Sequence, residues 1–405
     1  MCKTIFSVSR SLLVVLAVLL VGRLLPLGPA LAARGSGVGA KRELKVLRLS
    51  GSAYERGLQH GRQLRSEIAK IIALWKDDLR REYKTDPDAL IRDFLAASSF
   101  SPAIRKWTPE LLDEIKGISK GAEQPFETML AFQLMDEIWV FADKRTANRC
   151  SAMGISKADS HPAYVAQNMD LETFRDGFQV VLHIAESRHV PEQFIFTSAG
   201  MIALNGVNNR SVAITCNTLM ELSASSDGLP VAFVVRGVLG HFDGEAAITF
   251  LKNVRHASGQ NYILGVRDQV YDFECSAGKV VEFRPVTGGS VVYHTNHRLV
   301  NNDTKPTLSD LDSDGLINSK ARFASLVARL GKPASQIDHG VIKDTLRSKD
   351  SEQNPVCQPN KPGTFAFTFG ATIMSLSDKP SLEVSMGPPD VNPFVRLEFD
   401  NIPAR

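Results

Sequence analysis

The chain has 405 residues, enough for a full hydrophobic core in one large domain or two ordinary ones. With 43% hydrophobic and 22% charged residues it has a soluble globular balance, and no segment is biased enough to suggest disorder. The formal net charge of +3 is spread out, without a lysine/arginine block or an aromatic-interleaved basic stripe, which argues against nucleic acid as a partner.

At the N-terminus, Lys3 and Arg10 precede the apolar run Leu12 to Val21, and Ala30-Leu31-Ala32 gives the small-x-small pattern that a signal peptidase accepts. Residues 1–33 are therefore expected to be an export signal, leaving a periplasmic or secreted protein. The run is about half of the roughly 20 residues a spanning helix needs, and Arg23 and Pro26 interrupt its continuation, so no stable membrane insertion is expected after signal removal. Export permits disulfides, and Cys150, Cys216, Cys275 and Cys357 could form two bridges, one or none.

Residues 44–50 alternate apolar and polar and predict a strand. Ser52 and Glu55 then form a capping box that starts a helix running toward Tyr83. Gly57 and Gly61, one turn apart, imply close packing of another backbone against that face. Helices follow over 86–98, from Pro109 with Thr108 as N-cap, and over 126–140. After Cys150 the period changes, and short β-branched segments at 149–156, 163–170, 178–186, 192–197, 209–217, 261–266, 270–275 and 279–284 read as strands. Helices are expected at 229–239, 244–256, 316–330 and 335–347, and further strands at 364–369, 371–376, 381–386 and 394–399. This pattern predicts one α+β domain over 34–405, with mainly antiparallel sheets covered by helices.

Cys150 stands at the change of period. A hairpin of 151–156 with 163–170, turning through Asp159 to Pro162 and centred near residue 160, would set Cys150 opposite Asp170. A carboxylate beside a thiol disfavours the thiolate unless a cation is also present. Cleavage of the Arg149-Cys150 bond would supply one, because an α-amino group titrates at about 7.7 to 8.0 and can take the thiol's proton and return it. Cys150 would then carry both nucleophile and base, with Asp170 orienting the amine.

Together, S-A-Y-E-R-G-L-Q-H-G (52–61), I-S-K-G-A-E (118–123), Cys150 at a strand start, A-Q-N-M-D (166–170), G-x-N-x-x-x-V-A-x-x-x-N (206–217) and H-T-N-H (294–297) resemble the acyl-coenzyme A:6-aminopenicillanate acyltransferase family. Its members are cysteine N-terminal-nucleophile (Ntn) hydrolases related to penicillin V acylases and bile salt hydrolases. The resemblance runs from about residue 45 to the C-terminus.

It implies a four-layer αββα fold and self-cleavage into chains 34–149 and 150–405 that stay associated. Cys150 matches the nucleophile, Asp170 the carboxylate holding the new amine, Asn296 the oxyanion-hole amide, and Asn217 a second polar position facing the reacting carbonyl. The reaction implied is cleavage of a linear N-acyl amide bond through a thioester on Cys150, by hydrolysis or acyl transfer, without cofactor or metal. Three departures stand out: Arg149 replaces the glycine before the nucleophile, Phe369 replaces an arginine before Gly370-Ala371-Thr372, and Gln358 replaces the arginine after Cys357. Arg149 favours an alternative reading, an unprocessed, non-catalytic binding protein on the same fold.

Residue by residue, Cys216 and Cys275 read as core. His60, His161, His294 and His297 lack a metal-binding frame and read as structural. Glu137 reads as half of a structural salt bridge.

Overall fold

The computed structural model describes residues 42–142, 150–285, 288–305 and 314–399. The expected export signal and Arg149 lie outside the described residues. Among the described residues no helix is long and apolar enough to cross a membrane.

The N-terminal part follows the sequence pattern closely. Strand β1 (Val46–Leu49) leads into helix α1 (Ala53–Gln63), whose capping box is complete. Glu55 N–H donates to Ser52 Oγ at 3.3 Å, and Ser52 N–H donates to Glu55 Oε2 at 2.7 Å. The single helix expected to reach Tyr83 breaks at Leu64, and α2 (Arg65–Tyr83) continues beyond it. Next come α3 (Pro87–Ala97), α4 (Phe100–Trp107), α5 (Pro109–Ala122), α6 (Phe126–Phe132) and α7 (Met135–Phe141). Thr108 precedes Pro109 as expected but makes no side-chain cap.

The glycines of α1 meet a second glycine pair on α5. A Cβ at Gly57 would lie 1.9 Å from the Glu114 carbonyl oxygen, and one at Gly117 would lie 2.2 Å from that of Tyr54. The two helices therefore touch backbone to backbone, which offsets the propensity cost of four glycines.

Beyond Cys150 the chain builds two sheets. In the larger, β1 pairs in parallel with β4 (Gln179–Ile184). It continues antiparallel through β5 (Gln193–Ser198), β6 (Asn205–Asn208), β7 (Val212–Thr218), β8 (Gln260–Val266), β9 (Gln269–Cys275) and β10 (Val280–Glu282). The second sheet runs β11 (Val291–His294), β2 (Ser151–Ile155), β3 (Ala163–Glu172), β12 (Ala366–Leu376), β13 (Ser381–Ser385) and β14 (Val395–Glu398). The two strands expected at 364–376 are one, β12, with an irregularity between Thr368 and Gly370.

The sheets stack face to face. A Cβ on Gly265 would meet Val165 at 2.5 Å, and one on Gly154 would meet Ile263 at 2.9 Å. Helices α8 (Val231–Leu239) and α9 (Gly244–Asn253) cover the larger sheet together with α1–α7, while α10 (Asp314–Leu330) and α11 (His339–Leu346) cover the smaller. The main core fills the space around the larger sheet and between the sheets, and a second cluster, including Met153, Tyr164, Leu326 and Ile342, lies under α10 and α11. The fold is α+β, with two stacked sheets between helical layers.

The β2–β3 register corrects one expectation. Ser151 pairs with Asn168, and Ala158 bridges His161, so the turn is Asp159-Ser160 alone. This tighter turn moves every partner back by one, and Met169, not Asp170, falls opposite Cys150. A one-residue shift exchanges the faces of a strand. Cys150 Sγ accordingly lies 3.5 Å from Met169 Sδ, while Asp170 shares the other face of β3 with Asn168.

Candidate active site

Cys150 is buried at the end of the strand pair, 4% exposed, and its Sγ also approaches the Asp170 carbonyl oxygen at 3.9 Å. Its thiol is pushed up to about 12, first by burial and then by the negative charge of Asp170, with the Arg322 guanidinium opposing. Asp170 is wholly buried, and its charge adds to the burial that raises Cys150 and, in smaller measure, to the burial and Asp390 charge that raise Cys357. The segment covering its face of β3 is tied down by Asn168, which donates to the carbonyls of Leu346 (2.8 Å) and Val356 (2.9 Å).

Arg322 of α10 organises the centre. Its Nη1 donates to the Cys150 carbonyl at 2.5 Å and to Ser151 Oγ at 3.0 Å. Its Nη2 donates to Asn296 Oδ1 at 3.0 Å, and its Nε to Asn318 Oδ1 at 2.8 Å. With Oδ1 held, the amide nitrogen of Asn296 is aimed at the Thr218 carbonyl, 3.2 Å away. Cys150 and Asn296 are thus brought together through one buried guanidinium, which sequence reasoning missed. A signal existed, because Arg322 lies in helical register with the buried Ser319, Leu326 and Leu330, where an arginine needs several acceptors.

Asn217 is placed differently. It sits between the sheets in an amide ladder: Asn205 donates to Gln167 (2.7 Å), Gln167 to Asn217 Oδ1 (2.9 Å) and Asn217 to Asn261 (3.1 Å). Asn261 in turn donates to Asp272, whose carboxyl burial raises to about 7. The donor of Asn217 is therefore turned to Asn261, and the ladder ties β3 to β7 and β8.

A cavity of ≈ 20 Å³ adjoins Cys150, bounded by Asp136, Met169, Leu204, Cys216, Thr218 and Val231 among others. That is room for about one water molecule. Asp136 Oδ1 accepts from Thr218 Oγ1 at 2.5 Å and from Gln260 at 3.1 Å, and burial raises its pKa. Burial, and then the neighbouring Asp136, raise Glu137 from 4.5 to about 8. The salt bridge expected of Glu137 does not form among the described residues; its Oε1 accepts from the Val231 amide (3.2 Å) and Ser258 Oγ (2.8 Å).

Because the folded pKa of Glu137 lies above the unfolded one, the folded state holds the extra proton. Its stabilisation is complete below pH 4.5 and is lost as pH rises through 8. Melting temperatures are expected to fall over that window by at least about 2 °C more than in Glu137→Gln, with calorimetry of both proteins as the check.

The histidines are structural. His60 accepts from the Gly200 amide at 3.0 Å and is lowered by burial to about 4. Both ring nitrogens of His161 meet carbonyl oxygens, of Pro162 and Ala334. His294 is raised in spite of its burial, by the charge of Asp272 and its bond to Glu274 at 2.9 Å, and Glu274 also accepts from the amides of Val300 and Asn301 in the loop after Asn296. His297 bonds Ser319 Oγ at 2.8 Å and is lowered to about 4, mainly by burial. The four cysteines Cys150, Cys216, Cys275 and Cys357 are unpaired thiols. At the two other departures from the family pattern, the Phe369 ring packs on Phe196, and the Gln358 side-chain amide donates to the Pro355 carbonyl at 2.9 Å.

Residues 156–356 match the family described as acyl-coenzyme A:6-aminopenicillanic acid acyl-transferase. The span begins after Cys150 and contains Asp170, Asn217, Asn296 and Arg322. Among solved structures, a Caenorhabditis elegans N-acylethanolamine-hydrolyzing acid amidase ortholog is similar at 14% identity and a TM-score of 0.39, over 56% of this chain and 92% of that one. The C2A mutant of a conjugated bile acid hydrolase from Clostridium perfringens is similar at 14% identity and a TM-score of 0.42, over 62% and 92%. A penicillin V acylase from Agrobacterium tumefaciens is similar at 14% identity and a TM-score of 0.39, over 62% and 87%.

Proposed function

Since the chain belongs to the acyl-coenzyme A:6-aminopenicillanic acid acyl-transferase family, we propose that it is an exported, self-processing cysteine amidohydrolase or acyltransferase acting on a linear N-acyl amide bond. The observation that carries this reading is the Arg322 bridge, which holds the Cys150 carbonyl and the Asn296 amide oxygen at once.

In processing, Cys150 Sγ attacks the carbonyl carbon of residue 149. The carbon–nitrogen bond breaks, the new α-amine keeps the thiol's proton, and water hydrolyses the thioester to free the carboxylate and the thiol. The intact chain is suited to wait for this step. Its thiol is held protonated, and a cavity of ≈ 20 Å³ admits no acyl substrate. The freed amine supplies the cation that lowers the thiol and serves as base.

In turnover the amine takes the thiol proton and Sγ attacks the substrate carbonyl carbon. Asn296 Nδ2 donates to the oxyanion, and the proton passes to the leaving nitrogen. Water, or a second amine, then resolves the thioester. Asp170 is the carboxylate that balances the ammonium in this scheme, acting from the opposite face of β3.

The alternative, a binding protein that never processes, is favoured by Arg149 at the bond to be cut. Mass determination on the purified protein separates the two. A fragment beginning at Cys150 is expected, and an intact mature chain with an acylation-resistant thiol would establish the binder.

A further inference from the structure

A cleft of ≈ 1090 Å³ lies apart from the Cys150 cavity, between α1, α5, α8, α9 and the loop after β4. The two cavities share α8 but not its residues: Val231 and Ala232 border the cysteine, whereas Arg236 and Gly237 border the cleft. Its volume is at the upper end of small-molecule sites, about 300 to 1,000 Å³. Trp107, Leu111 and Phe250 supply apolar wall, the two rings meeting edge to face at 5.7 Å.

Beneath that wall the charge is unbalanced. Glu114 accepts from Arg56 Nη2 (3.1 Å) and from Arg236 Nη1 (2.6 Å) and Nη2 (3.0 Å), so two buried guanidiniums share one carboxylate. His60, beside them, is neutral and does not restore the balance. The exposed rim carries both signs, with Glu110, Glu186 and Arg188.

We propose that this cleft is a second small-molecule site, distinct from the Cys150 centre, for an amphipathic carboxylic acid. The carboxylate meets the excess guanidinium charge, and the apolar body lies against Trp107 and Phe250.

The test is titration calorimetry of N-acetyl-L-tryptophan and its uncharged analogue N-acetyl-L-tryptophanamide into the Cys150→Ala chain, where no turnover interferes. The site therefore stands or falls independently of the catalytic reading. Binding of the carboxylate is expected at least about tenfold tighter than that of the amide. Thr249→Trp fills the cleft from an exposed position of α9, leaving the buried ion cluster untouched. It is expected to weaken the carboxylate about tenfold or more without changing the melting temperature. Equal affinity for acid and amide, no heat from the acid up to about 10 mM, or unaltered binding by Thr249→Trp would each overturn the site.

Discussion

Cys150→Ala is expected to leave residue 149 joined to residue 150 and to abolish amide turnover. In the proposed scheme the side chain removed would both cut the chain and carry the thioester, so one substitution would remove two activities. Loss of a nucleophile alone can cost about 10⁶ in kcat. Denaturing electrophoresis and mass determination check the first effect, and release of free amine from N-acyl substrates checks the second. A Cys150→Ala chain that still split after residue 149 would sink self-processing. Stability should change little, because a small buried thiol is exchanged for a methyl group.

The second large effect is expected at Arg322. Arg322→Met keeps apolar volume but leaves the Cys150 carbonyl, Ser151, Asn296 and Asn318 without the donors that now reach them. Hydrogen bonds to a charged group contribute about 1.5 to 3 kcal/mol each, so denaturant melts should shift by about 3 kcal/mol or more. Turnover should fall further than stability explains. With Oδ1 of Asn296 released, the amide no longer presents its N–H in one direction, and a misplaced oxyanion donor costs about 10² to 10³ in kcat. Arg322→Lys should rescue little, since an ammonium cannot reproduce the fork that joins the start of β2 and the loop after β11 to α10. Loss in KM alone, with kcat intact, would show that Arg322 serves binding and not the alignment of the centre.

The legible parts of the fold were those set by local chemistry. The Ser52–Glu55 box, Pro109 at a helix start and the Gly57/Gly61 pair each have a short-range cause that survives in the structure. The break at Leu64, the splitting of 126–140 into α6 and α7, and strands β6 and β11 were not legible, because tertiary packing decides them. The register of β2 on β3 turned on whether two or four residues make the turn, and the sequence Asp159-Ser160-His161-Pro162 suits both. Around Cys150, the two residues singled out from sequence, Cys150 and Asn296, share a partner in Arg322. The amide ladder around Asn217 was not legible, because it depends on four residues from other strands. Arg322 was invisible for the opposite reason: its neighbours in sequence look like an ordinary amphipathic helix, and only the acceptors it meets in space mark it.

Strand β1 has a mechanical consequence for the processed form. It is the edge of the eight-stranded sheet, hydrogen-bonded to β4 from the far side of the proposed cut, as in the 2.9 Å bond from the Val181 amide to the Lys45 carbonyl. The same N-terminal piece contributes Ile68, Trp75, Ile115 and Phe132 to the common core. Severed after residue 149, the two pieces would be woven together more firmly than most subunits are bound. Parting them would mean melting them, so the nick would be seen on a denaturing gel and pass unnoticed on a sizing column.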